Sequence, residues 1–143
     1  MASLLITTSG CNVVERRLRA VSRLAADFSP AWDGVELIMV EGIRNAFDKE
    51  GPGWAPNDPS TLRSKSGTRI LRDTDRLYNS LTSSPKTKRS SRSIDIVTGV
   101  PYADAAFGGT KNMPARPLEI SEHYKRLMST YISERLVEEY ERS

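Results

Sequence analysis

The chain has 143 residues, 38% of them apolar and 27% charged, with a net charge of +3, one cysteine and one histidine. That length suits one domain with a modest core, Cys11 has no partner for an internal disulfide, and a lone His123 leaves no cluster with metal-ligand spacing. No apolar run approaches the roughly 20 residues of a membrane span, and Leu4 to Ile6 is too short for a secretory signal core, so a chain made in the cytoplasm without a cleaved leader is expected.

In chain order, Ala2 to Thr8 reads as an edge strand. The following stretch, NVVERRLRAVSRLAADF, sets Val14, Leu18, Val21 and Ala25 at i, i+4, i+7 and i+11, a helix with one buried stripe. Ser29-Pro30 has the arrangement that opens a second helix, with a capping hydroxyl followed by a residue lacking the amide that would go unused. Trp32, Val35, Met39, Ile43 and Ala46 then repeat at helical spacing, widened by Ile38 and Phe47. Two antiparallel helices docked on a sheet are expected here.

Between Lys49 and Thr68 three prolines and three glycines break the pattern into a long loop. Trp54 is too costly to leave in water and is expected to anchor that loop or to meet another subunit. Asp73 or Thr74 should cap a short helix in which Leu77 and Leu81 share a face. Helix capping also explains the Asp73 and Asp75 pair more simply than acid/base chemistry does. Residues 82 to 93 read as a second loop, a mobile hairpin tip or crossing, before SIDIVTGV alternates as a half-buried strand.

Next comes YADAAFGGTKNMPARP, Tyr102 to Pro117. Gly108 and Gly109 permit a turn while Pro114 and Pro117 stiffen the exit, so a turn followed by a rigid extended arm is expected. The spacing does not suit a phosphate loop, which needs its glycines between a strand and a helix N-terminus. Ser121 should cap a C-terminal helix whose apolar face carries Tyr124, Leu127, Met128, Tyr131, Ile132, Leu136 and Tyr140, with His123 at the surface. The whole reads as one α+β domain, 1–143: a small antiparallel sheet packed with two N-terminal helices and a C-terminal helix, with long loops at about 49–68 and 82–93.

Charge is uneven. Ser60 to Arg92 holds nine Lys/Arg against Asp73 and Asp75, net +7, which leaves −4 for the rest. Lys86, Lys88, Arg89 and Arg92 form its densest part, with no aromatic among them to stack on bases, so any contact with nucleic acid should be blind to sequence. No nucleophile, base and orienter are grouped, and no catalytic residue, cofactor or metal is assigned, so an enzyme is not expected. A free-standing nucleic-acid-binding module would explain the charge but neither the Trp54 loop nor the proline arm.

Four segments in order carry a resemblance. They are Trp54, Pro56, Thr61 and Lys65; Ile70, Leu71, Leu77 and Ser80; Tyr102, Ala103, Phe107 and Gly108; and Pro114, Ala115, Arg116 and Pro117. In this order the chain, from Phe47 to Ser121, resembles the phage virion morphogenesis family, the tail completion proteins of Mu-like and related tailed phages. It departs from that pattern at Ala105-Ala106, where the family commonly has His-Gln, and at Leu118-Glu119-Ile120, where it has Phe-Leu-Gly.

The resemblance implies a structural virion protein of the neck or tail end, made in the host bacterial cytoplasm. It would assemble as a homo-oligomeric ring, a hexamer, that completes the tail and joins it to the head. Its neighbours would be head-closure or connector, tail terminator and tail tube proteins, with no membrane involved and a central channel for non-specific passage of DNA. A tail terminator capping the tube is the alternative within the same class. On this reading Trp54, Tyr102, Phe107, Gly108, Pro114, Arg116 and Pro117 form a subunit interface or structural joint, in which Arg116 suits bidentate recognition of a carboxylate. Lys86, Lys88, Arg89 and Arg92 line the DNA channel or face an acidic partner.

Overall fold

A computed structural model of the chain describes residues 11–51, 53–59, 70–72, 75–83 and 85–143. The expected strand at 2–8, the caps Asp73 and Thr74, and Thr61 and Lys65 lie outside them. Helix α1 spans Cys11–Ala26 and packs principally on the C-terminal helix, α5 (Glu122–Arg142). That partner decides which face is covered. Ala20 and Leu24 are buried and Val21 half-buried, while Val14 and Leu18 stay 47% and 57% exposed, so the packed stripe is rotated away from the expected one. Small Ala20 lets α5 approach, and the Arg17 guanidinium lies over the Tyr140 ring, 5.5 Å from its centre.

The turn after α1 is held by Asp27, whose carboxylate accepts from both the amide and the hydroxyl of Ser29. The expected Ser29 hydroxyl cap is therefore absent: Ser29 acts as donor to Asp27, and the N-cap position, Phe28, has no side-chain capping bond. Pro30 sits early in a short 3₁₀ turn, Ser29–Ala31, that runs into helix α2, Trp32–Asp48. Trp32, Val35, Val40, Gly42, Ile43, Ala46 and Phe47 of α2 are buried, close to the stripe expected from the spacing. The central position of α2 depends on Gly34 and Gly42. A Cβ on Gly34 would stand 2.1 Å from the Tyr131 ring, and one on Gly42 2.7 Å from Ile120, just before α5, and 3.3 Å from Tyr124 in its first turn, so α5 and the residue leading into it press on α2 where glycine leaves room.

Helix α3, Arg76–Thr82, buries Leu77 and Leu81 against α2, as the shared face requires. Its N-cap position is held by Asp75, with φ of 58°, which makes no capping bond to the helix. Strands β1 (Lys86–Arg89) and β2 (Ile94–Val97) pair antiparallel, Lys86 opposite Val97 and Arg89 opposite Ile94. Residues 86–89 are thus strand and not loop. Their tip is not loose either. Ser90 and Ser93 close it through main-chain and hydroxyl bonds, Trp32 Nε1 donates to the Ser90 carbonyl at 2.7 Å, and the Phe28 amide donates to the Ser91 carbonyl at 2.8 Å.

Where a turn was expected, Ala103–Gly108 forms a short helix, α4, burying Ala103 and Ala106. Three alanines with few competing side-chain bonds favour a helical turn, and Gly108-Gly109 end it. A tight turn bridged between Thr110 and Met113 and an extended stretch lead to α5. Ser121 stands at the α5 N-cap as expected, but its carbonyl and not its hydroxyl receives the first amides, those of Tyr124 and Lys125. Tyr124, Met128, Tyr131, Ile132, Leu136 and Tyr140 are half-buried, whereas Leu127 is 41% exposed. α5 therefore lies across the molecule, touching α1 and α2, and the two N-terminal helices are joined mainly through it. The fold is α+β: packed helices plus a small two-stranded antiparallel sheet. Among the described residues no helix is long and apolar enough to cross a membrane.

Candidate functional site

The arm and the tryptophan loop form one unit. Phe47, at the end of α2 and fully buried, is the hub: Trp54 meets its ring edge-on at 5.4 Å, Tyr78 at 5.3 Å and Phe107 at 6.5 Å. Around it pack Ile43, Ile70, Leu77, Leu81, Val100, Ala103 and Ala106. Gly51 makes the path of the loop possible, with φ of 74° and the Trp54 ring where a Cβ would stand. Trp54 is the anchor its cost in water predicts.

Two side chains then staple the loop to the arm in opposite directions. Trp54 Nε1 donates to the Pro117 carbonyl at 2.8 Å. Arg116 reaches back, Nε to the Ala55 carbonyl at 2.9 Å and Nη2 to the Pro56 carbonyl at 3.1 Å. Arg116 is only 6% exposed, and its fork is used on main-chain oxygens within the subunit, not on a carboxylate. These carbonyls belong to extended, proline-containing segments that form no ladder, so they need donors from elsewhere.

Residues expected at the joint divide into two sets. Trp54, Phe107 and Arg116 face inward. Tyr102, Gly108, Pro114 and Pro117 lie on the outside, Tyr102 at 44% and neighbouring Met113 at 41% exposure. The joint thus has a braced inner side and an open outer one.

A second brace was missed in the sequence. Arg72 makes a bidentate pair with Asp75, at 2.9 and 3.2 Å, reaches Asp48 at 3.4 Å, and stacks 3.9 Å from the centre of the Tyr78 ring. The bond to Asp75 raises the guanidinium pKa further above its ordinary value. The Glu50 carboxylate accepts the Ile70 amide at 3.0 Å. The Arg72, Asp75 and Tyr78 spacings of three residues were the available signal.

The hairpin sorts its basic residues by face. On the inner side Arg89 forks onto α2, Nη1 to Asp33 at 2.8 Å and Nη2 to Glu36 at 2.9 Å, and the bond to Asp33 raises its pKa. Arg89 is therefore a latch and does not belong with the outward charge. Lys86 and Lys88 share the other face with Asp95 and Val97, and Arg92 sits at the tip; all three cations are exposed and have no ion-pair partner among the described residues. His123 is exposed with its ring edge-on to Tyr124, and no group of three His, Cys, Asp or Glu among the described residues is placed to hold a metal. Compared with protein-family models, with curated proteins and with solved structures, the chain matches none.

Proposed function

We propose that the chain is a structural subunit of the phage neck or tail end, made in the host bacterial cytoplasm, incorporated in the virion and assembled as a hexameric ring that completes the tail and joins it to the head. The observation that carries this reading is the convergence of the four resembling segments. Trp54 from the first, Ile70 and Leu77 from the second, Ala103 and Phe107 from the third and Arg116 and Pro117 from the fourth meet in one braced unit. Residues scattered over more than sixty positions have one physical job, to hold a loop and an arm rigid.

Rigidity suits a ring subunit. An arm already restricted by prolines and stapled from within loses little further entropy when a neighbour binds its outer side. Tyr102, Pro114 and Pro117 on that outer side are the surface offered to the next subunit. A head-to-tail ring repeats every outward feature around one axis, so Lys86, Lys88 and Arg92 become a collar that attracts the backbone of DNA passing through it.

Electron micrographs of particles from a strain lacking the gene test the proposal. Separate filled heads and finished tails are expected. Tails of irregular length would move the protein to the terminator position, and normal virions would overturn both.

A further inference from the structure

The hairpin is not the only basic surface. α1 carries Arg16, Arg17, Arg19 and Arg23 against Glu15 alone, and its packing on α5 places Arg23 across a cleft from Arg135 and Arg142. The cleft measures about 320 Å³ and is lined also by Asp27 and Glu139, with Ala20 and Leu24 as its apolar part. At ~30 Å³ per water this is room for about ten, enough for a tetrahedral oxyanion with some of its hydration.

The acidic groups around the cleft are already engaged. Asp27 receives the amide and hydroxyl of Ser29, Glu139 receives Nη2 of Arg142, and Glu138 receives Nη1 of Arg135 at 3.1 Å. Donors remain unused. The Arg23 guanidinium has no partner among the described residues. A planar guanidinium fork of this kind fits phosphate oxygens.

We propose that the cleft between α1 and α5 is a phosphate-binding site, with Arg23 and Arg142 at its mouth and Arg135 behind them as a fixed positive charge. The phosphate is either a backbone phosphodiester of nucleic acid or a free ion. Ser91, next to Arg92, is bonded to Phe28 within the Asp27–Pro30 turn that borders the cleft, so the basic hairpin tip adjoins it and a nucleic-acid strand can touch both. The site does not depend on ring assembly.

The test uses the full chain and the variant carrying Arg23→Gln and Arg142→Gln. Both residues are exposed, so the variant keeps its fold, which circular dichroism checks. Inorganic phosphate is titrated by calorimetry and a labelled 20-base-pair duplex by anisotropy across a chloride series. Phosphate affinity is expected to fall at least tenfold. A parallel loss for the duplex, with a salt slope reduced by about one to two, identifies nucleic acid as the source. Loss for phosphate alone identifies the free ion. Unchanged affinity for both probes in the variant, or no binding of either by the unmodified chain, overturns the site.

Discussion

Arg116 and Trp54 act as single side chains with consequences for two whole segments. Each satisfies carbonyls of the other's segment, so removing one loosens the hold of both. Arg116→Lys keeps the charge but cannot make the two-pronged contact, and should lower stability by about 1.5–3 kcal/mol. Trp54→Phe keeps the edge contact with Phe47 but loses the bond to Pro117, worth about 1 kcal/mol. Urea unfolding of the singles and the double should show a coupling of at least about 0.5 kcal/mol, because the two bonds brace the same joint. Strictly additive losses would mean that the staples act independently. Trp54's burial was legible from its type amid prolines. The partners of Arg116 were not, because an arginine's reach says nothing about whether a carboxylate or an unladdered carbonyl waits at the end of it.

Among the elements, the α2–α5 crossing is the most exacting contact. Gly34→Ala places a Cβ into the Tyr131 ring, and the resulting overpacking should cost about 1–3 kcal/mol in thermal or urea unfolding. Adding Tyr131→Ala should remove most of that extra cost, which a simple loss of helix packing would not do. The α1–α2 turn carries a pH signature. Bonds from the Ser29 side chain and amide hold the Asp27 carboxyl below its usual 3.8. Its contribution is present above that value and is lost as pH falls through the lower folded value. Asp27→Asn should flatten this part of the acid limb of the stability curve. The helices α1, α2 and α5 were visible in apolar periodicity and β2 in its alternation. β1 was hidden because KTKR carries no apolar alternation and becomes a strand only by pairing with β2 and latching Arg89 to Asp33 and Glu36.

For the whole molecule, the braced joint and the outward cations bear on assembly. On the proposed ring reading, Tyr102→Glu adds a charge at an exposed position, so the subunit should remain folded by circular dichroism while sedimentation shows monomers where the unmodified chain sediments as a ring. An intact ring would move the subunit contact elsewhere. If the proposed collar lines a DNA channel, reversing Lys86, Lys88 and Arg92 to Glu should leave assembly intact and impair DNA passage, measured as filled, attached particles that fail to eject. Because Arg89 is held by α2, reversing it tests the hairpin latch instead of the collar.

The amino-acid order alone decided the local matters: that α1, α2, α3 and α5 are helical, that 94–97 is a strand, that Trp54, Leu77 and Leu81 are covered, and that an extended arm follows the Gly108-Gly109 pair. These follow from periodicity, proline and glycine geometry and the cost of exposing large apolar groups, all of which act within a few residues. Only tertiary packing decided that α1 turns Ala20 and Leu24 to α5 and leaves Val14 and Leu18 outside. Packing also gave Arg116 its main-chain acceptors and brought three arginines from opposite ends of the chain around one cleft. Those outcomes depend on which distant surface arrives, and a local pattern of side chains is compatible with several.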